Sequence, residues 1–113
     1  MQTPKRVLIL SPFAGDTERN KKYLDRCIDF IIKSGNAPFA PHYIYPNFLD
    51  DTDSFERRKG MEMGKAWASV CQHAIAFVDY GTTKGMAEEV GFLRLEHPTL
   101  PIDAVYIGEN PDA

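Results

Sequence analysis

The sequence predicts an α/β domain with three layers, in which four or five mostly parallel strands carry helices on both faces. Short, continuous apolar runs are the first observation, because strands buried on both faces of a parallel sheet have this pattern. The second is that these runs alternate with segments of helical period in the order βαβαβαβ, which favours parallel strands with right-handed crossovers. The length of 113 residues is typical of one domain, here residues 1–113.

The first strand and helix have clear local signals. The run Arg6–Leu10 predicts a buried strand that stops at Ser11 and Pro12. Asp16 or Thr17 can cap the helix that follows. Its apolar residues recur at helical spacing: Leu24, Cys27, Ile28, Ile31 and Ile32.

The second unit is less regular. Residues Ala37–Ile44 are a strand candidate whose prolines, Pro38 and Pro41, suit an edge strand. A polar and aromatic loop over 45–53 precedes a helix predicted from Asp53 or Ser54 to about Cys71. The packing residues expected on that helix are Phe55, Met63, Trp67 and Val70.

For the third unit, the sequence predicts a strand over His73–Val78, a turn-rich loop over Asp79–Gly85 and a helix over Met86–Glu96. A last strand is predicted over Ile102–Ile107. In open parallel sheets, ligands bind beyond the carboxyl ends of the strands, near a change in strand order. We therefore expect the loops 11–16, 42–53 and 79–85 to meet around a ligand.

Composition narrows the function classes. The net charge of −3 argues against a nucleic-acid polymer as partner, since phosphate neutralisation needs a basic face. No apolar run reaches the ~18 residues of a membrane helix, and no signal peptide is recognisable, so we expect a cytoplasmic protein that needs no membrane. Cys27 and Cys71 are expected to be reduced and buried. Their spacing and the three scattered histidines predict no metal site, and no cofactor is expected.

Helical phase distinguishes two neighbouring glutamates. One stripe of the helix that starts near residue 86 faces the sheet: Met86, Val90, Leu93 and His97. At ~100° per residue, Glu88 lies opposite this stripe, in solvent, while Glu89 lies about 70° from its centre, at the margin of the buried face. Glu89 can therefore point into a cleft. A surface charge favoured by the helix dipole is the alternative interpretation.

Two further loops carry candidate residues. The first, Ser11–Asp16, is neither a GxGxxG nor a P-loop motif, but it offers a hydroxyl, a glycine and a helix N-terminus. It is also compatible with an ordinary strand-to-helix turn. The aromatic loop that contains His42, Tyr45 and Asn47 can stack on a base or form a subunit interface.

Three segments together resemble a known family. Phe77-Val78-Asp79, a glycine-bearing loop and then Glu89-Val90-Gly91 are similar to the signature of the nucleoside 2-deoxyribosyltransferase-like superfamily, which includes the deoxyribonucleoside 5′-monophosphate N-glycosidases. The greatest similarity is to small bacterial and phage members of this superfamily, and it lies in the segments Ser11–Asp16, Ala40–Asp51 and Gly85–Gly91. The resemblance implies a Rossmann-like or flavodoxin-like fold.

The resemblance also implies roles for particular residues. Glu89 would be the nucleophile of N-glycosidic bond hydrolysis, and Asp79 would bind a sugar hydroxyl or protonate the leaving base. Ser11, Gly15 and the amides near Gly85 would hold a 5′-phosphate. The substrate-binding residues that it implies are Ser11, Phe13, Gly15, Asp16, His42, Tyr45, Asn47, Gly85 and Met86.

Three classes of function stay open at this point. The chain is a nucleotide or nucleoside N-glycosidase, a module that binds a nucleotide-derived molecule without turnover, or a structural protein whose aromatic loop only forms an interface. A small nucleotide or nucleoside is the expected ligand. The small core and the aromatic loop predict a homodimer or a larger homo-oligomer.

Overall fold

Strands and helices alternate along the chain in the computed structural model, which describes residues 3–108. The elements are β1 (Arg6–Leu10), α1 (Thr17–Lys33), β2 (Ala37–Phe39), α2 (Pro41–Ile44), α3 (Ser54–Ala68), β3 (His73–Phe77), α4 (Lys84–Glu96) and β4 (Ile102–Val105), with a 3₁₀ turn over Tyr45–Asn47.

The four strands form one sheet in the order β2-β1-β3-β4, and every pair is parallel. This confirms the predicted fold class. The chain moves from β1 to one side to form β2 and then returns to the other side to form β3. The change in strand order therefore lies between β1 and β3, where ligands of such sheets bind.

The sheet is buried between two helical layers. Side chains of β1 alternate between its two faces: Val7 and Ile9 pack with Leu24 and Ile31 of α1. Leu8 and Leu10 pack instead with Ala68 of α3 and with Met86 and Leu93 of α4. Because both faces are covered, the strands are continuous apolar runs rather than alternating ones.

Side chains at three helix starts satisfy backbone N–H groups that would otherwise lack partners. Asp16 accepts from the Arg19 amide, and Asp53 accepts from the amides of Phe55 and Glu56. The Thr83 hydroxyl accepts from Met86. The caps expected at positions 16 and 53 are thus confirmed, whereas α4 begins two residues earlier than predicted.

The predicted strand over Ala37–Ile44 was wrong beyond Phe39. Pro41 is the first residue of α2, a position that its fixed φ favours and where its missing N–H is not needed. The chain therefore leaves the sheet early and turns across the end of β1. Both β4, which ends at Val105, and α3, which ends at Ala68, are also shorter than predicted.

Packing on α3 differs from the prediction as well. Of the four side chains expected to pack, three are largely exposed: Phe55, Met63 and Val70. The fourth, Trp67, is partly exposed but does pack, stacking on Phe39 with 4.6 Å between ring centroids. Ala68 is buried instead, and the cavity described below is lined by Gly60, Met61, Gly64 and Lys65 of this helix. The inward side of α3 therefore carries small residues and Met61 rather than Phe55 and Met63.

Cys27 is buried, Cys71 is partly buried, and neither forms a disulfide. Among residues 3–108, no group of three or more His, Cys, Asp or Glu could hold a metal ion. None of the helices within that range has the length and apolar character required to cross a membrane.

Candidate functional site

A cavity of about 440 Å³ opens at the carboxyl end of β1, enclosed by α2, α3 and the start of α4. Its volume is in the range of sites that hold small organic ligands, about 300–1,000 Å³. Leu8 and Leu10 of β1 contribute to its lining, which is mostly apolar. The charged residues of the lining are Asp51, Glu56, Arg57, Lys65, Lys84 and Glu89.

Glu89 and His42 form an ion pair at the wall of this cavity. The His42 Nε2 lies 3.3 Å from the Glu89 Oε1, and the two side chains are 23% and 20% exposed. The imidazole also contacts the Phe13 ring, with 5.3 Å between centroids. Glu89 belongs to α4 and His42 to α2, so the pair joins two helices over the end of the sheet.

The protonation of His42 depends on this pairing. Burial by itself lowers the pKa of His42, because it disfavours the charged imidazolium. The hydrogen bond and charge of Glu89, the charge of Asp51 and a hydrogen bond to the Ser11 backbone outweigh burial, so that the pKa of His42 is raised above 6.5. The charged form of His42 is thus favoured beside Glu89.

Ser11 is a buried residue of the cavity lining. The residue is 1% exposed, it lines the cavity, and its Oγ has no hydrogen-bond partner among residues 3–108. Leaving a buried hydroxyl without a partner costs ~1–3 kcal/mol. A polar ligand atom in the cavity would satisfy it.

We expect Ser11→Ala to leave the free energy of unfolding unchanged or to raise it by up to ~1 kcal/mol, because the substitution removes an unsatisfied group. Urea unfolding of the free protein measures this change. If instead Ser11→Ala lowers that free energy by more than ~1 kcal/mol, the hydroxyl is satisfied within the protein and does not await a ligand.

The N-terminus of α4 adds positive potential to the same cavity. Its cap is the neutral Thr83, and none of the residues in the first turn of this helix is acidic. By contrast, α1 and α3 have Asp caps and a Glu in the first turn. Lys84 and Gly85 lie at the cavity wall, and such helix ends favour anions.

Glu88 was predicted to lie in solvent, but its side chain is only partly exposed. Its Oε2 accepts a hydrogen bond of 3.2 Å from the Arg57 Nη2, and both side chains are partly buried. The expectation failed because α3 packs beside α4 and brings Arg57 to the outward side of that helix. Glu88 nevertheless does not line the cavity that Glu89 lines.

Asp79 lies outside this cavity and is buried in a hydrogen-bond network. Its Oδ1 accepts from the Tyr23 hydroxyl at 2.6 Å and from the Ile107 amide at 2.9 Å. Its Oδ2 accepts from the Gly108 amide at 2.7 Å. Burial, together with the Asp79 hydrogen bond, raises the pKa of Tyr23. The carboxylate thus ties α1 and the segment after β4 to the end of β3.

The cavity brings together seven of the residues singled out from the sequence: Ser11, Phe13, His42, Tyr45, Gly85, Met86 and Glu89. Besides Asp79, three others do not line it. Gly15 adopts a positive φ of 97° in the loop before α1, Asp16 caps that helix, and the Asn47 side chain donates to the Tyr43 carbonyl.

Sequence reasoning missed the contribution of α3 to the cavity. Gly60 and Gly64 lie four residues apart on the face of α3 that lines it. Their nearest neighbours are Leu49 and Pro41, which a Cβ would meet at 3.5 Å. The glycine pair is a sequence signal for this face. Trp67, on the same helix, donates to the Tyr45 hydroxyl at 2.8 Å and so fixes a side chain of the cavity wall.

Comparisons with known proteins agree with the fold. The family model described as "Domain of unknown function (DUF7768)" matches residues 5–100. No curated protein matches. Among solved structures, the 2-deoxyribosyltransferase of the psychrotolerant bacterium Bacillus psychrosaccharolyticus, a biocatalyst for nucleoside synthesis, is similar, with a TM-score of 0.67 and 14% identity. The alignment covers 89% of this chain and 72% of that one.

Proposed function

Because this chain belongs to the DUF7768 family, whose description gives no activity, we propose a function from the cavity: the protein hydrolyses the N-glycosidic bond of a nucleoside monophosphate or a related nucleotide. One observation carries the proposal, namely the Glu89 carboxylate, held against His42 at the wall of a ligand-sized cavity. The similarity in fold to a 2-deoxyribosyltransferase supports a nucleoside-related substrate.

The chemistry assigned to Glu89 is nucleophilic. A carboxylate oxygen attacks C1′ of the sugar while the bond from C1′ to the base nitrogen breaks, and the base leaves with the electron pair and takes up a proton. Water then attacks C1′, its proton is released, and the Glu89 carboxylate is regenerated. The net reaction consumes one water and yields the free base and the sugar phosphate.

The rest of the cavity is suited to the other parts of a nucleotide. The start of α4, with Lys84 and Gly85, would hold the phosphate, and the Ser11 hydroxyl would donate to it. Phe13 and Tyr45, which line the cavity, would pack against the base. Asp79 is left out of this assignment, because its oxygens already accept hydrogen bonds from the protein.

Turnover of a nucleotide panel tests the proposal. The panel contains ribo- and deoxyribonucleoside 5′-monophosphates and the matching nucleosides, and chromatography measures the released base. We expect base release from at least one monophosphate, with less from its nucleoside. If no compound releases base at enzyme concentrations that permit single turnover, the hydrolase assignment is wrong.

Binding without turnover is the second candidate. It is favoured by the fact that Glu89 is already engaged by His42, while the buried Ser11 hydroxyl still lacks a partner. Thermal shift with the same panel distinguishes the two functions, because a ligand of the native state raises the unfolding temperature. A shift without base release identifies a binding protein.

We also propose that the protein forms a homodimer or a larger homo-oligomer in the cytoplasm. The exposed aromatic side chains around α2 and α3 support this assembly, among them Phe48 at 80% exposed, Tyr43 and Trp67. Light scattering across the micromolar range should give at least twice the mass of 12.8 kDa. A constant monomer mass over that range would rule the assembly out.

A further inference from the structure

The pair formed by His42 and Glu89 has a second consequence, which rests on the proposed N-glycosidase function. We propose that His42 is a positioning residue: it holds one oxygen of Glu89 so that the other attacks the sugar, and it stabilises the carboxylate when Glu89 later leaves the sugar. The substrate itself is not required to contact His42 in this role.

Geometry holds the imidazole from two sides. Its Nε2 faces the Glu89 Oε1 at 3.3 Å, and its ring packs on Phe13. A carboxylate can only accept hydrogen bonds, so an attractive contact requires a proton on the Nε2. The attraction is strongest in the imidazolium form, whose charge is opposite to that of the carboxylate.

The charged groups around His42 favour that form. Glu89 faces it from α4, and Asp51 acts on it from the segment before α3. Helix α3 contributes Glu56, Arg57 and Lys65 to the lining of the same cavity, and α4 contributes Lys84 at its start. Arg57 is paired with Glu88 at 3.2 Å and Lys65 with Glu62 at 3.3 Å, so both of these α3 cations have a partner other than Glu89.

The two chemical steps respond differently to a cation at Oε1. When Glu89 attacks, its negative charge is lost in the ester, so the imidazolium opposes this step. When water displaces the ester, the charge returns to the carboxylate, and the N–H of His42 stabilises it as it develops. His42 therefore accelerates the second step, and its removal should allow the glycosyl ester on Glu89 to accumulate.

Two substitutions test this role in the hydrolysis reaction. His42→Ala removes the donor and the charge, and we expect kcat to fall by ~10²-fold, KM to fall with it, and mass spectrometry of the quenched reaction to show sugar phosphate bound to the protein. His42→Gln keeps a neutral N–H donor and should restore part of kcat. Unchanged kcat in His42→Ala, or a lower kcat with no bound sugar, overturns the proposal.

The pH profile gives a readout that packing alone would not change. In the wild type, kcat should fall as pH rises through the raised pKa of His42, because the imidazolium is lost. His42→Gln should lack this limb of the profile. If both proteins keep the same limb, another group titrates and His42 does not have the proposed role.

NMR titration tests the pair without turnover and so separates this proposal from the proposed function. The three histidines are His42, His73 and His97, and His73, which pairs with Asp103, is an internal control. Glu89→Gln should lower the pKa of His42, while the chemical shifts of His73 at a given pH should stay as in the wild type. An unchanged His42 overturns the positioning role even if bases are released; a lowered pKa without base release overturns the hydrolase function instead.

Discussion

Replacing Glu89 by glutamine is expected to lower the rate of base release by a factor on the order of 10³ or more, the scale seen when a nucleophile is removed. The amide cannot form the ester with C1′, and it carries no charge to stabilise positive charge on the sugar. Since shape is kept, the nucleotide should still bind. Single-turnover kinetics and thermal shift measure the two effects separately.

Glu88→Gln is the matched control, because it makes the same chemical change in the same helical turn. Glu88 pairs with Arg57 at a partly exposed position, so the free energy of unfolding should change by less than ~1 kcal/mol. Base release should change by less than threefold or so, about 0.6 kcal/mol of barrier. If Glu88→Gln is inactive and Glu89→Gln active, the assignment of the nucleophile is reversed.

Asp79→Asn should cause the largest loss of stability among these variants, about 1.5–3 kcal/mol in the free energy of unfolding, which is the range for hydrogen bonds to a charged group. The carboxylate accepts from Tyr23, Ile107 and Gly108 while buried. An amide presents an NH₂ group to at least one of these donors, which then stays buried without a partner. Urea unfolding followed by circular dichroism measures the change.

Asp25→Asn on the exposed side of α1 is the control for Asp79→Asn and should change the unfolding free energy by less than ~0.5 kcal/mol. Tyr23→Phe removes only one donor and should cost less than Asp79→Asn. If Asp79→Asn keeps its stability but loses base release, Asp79 acts on the substrate, as the sequence resemblance implies.

The central strands could be predicted because their signal is local. Val7–Leu10 and Ala74–Val78 are buried apolar runs, and a run of this kind indicates a strand whatever lies far away in the chain. The position of Glu89 at the cavity wall also followed from helical phase, since Met86 and Leu93 do pack on the sheet.

The predictions that were wrong concern contacts between residues that are far apart in the sequence. Asp79 receives its hydrogen bonds from residues 28, 29 and 56 positions away, and no local pattern shows this. Likewise, the contact of Glu88 with Arg57, 31 residues earlier, depends on how α3 packs beside α4. Proline disfavours the interior of a strand and also favours the first position of a helix. The prediction for Pro41 used only the first of these properties, whereas the structure shows the second.

Three residues of the cavity lining lie in segments that follow three different strands: Ser11, His42 and Glu89. Opening any one of these units would dismantle the cavity, so a bound ligand resists partial opening as well as global unfolding. Amide hydrogen exchange should therefore slow at the end of β1, in α2 and in the first turns of α4 at the same time when a ligand binds. The ligand would make three separately exchanging regions behave as one cooperative unit.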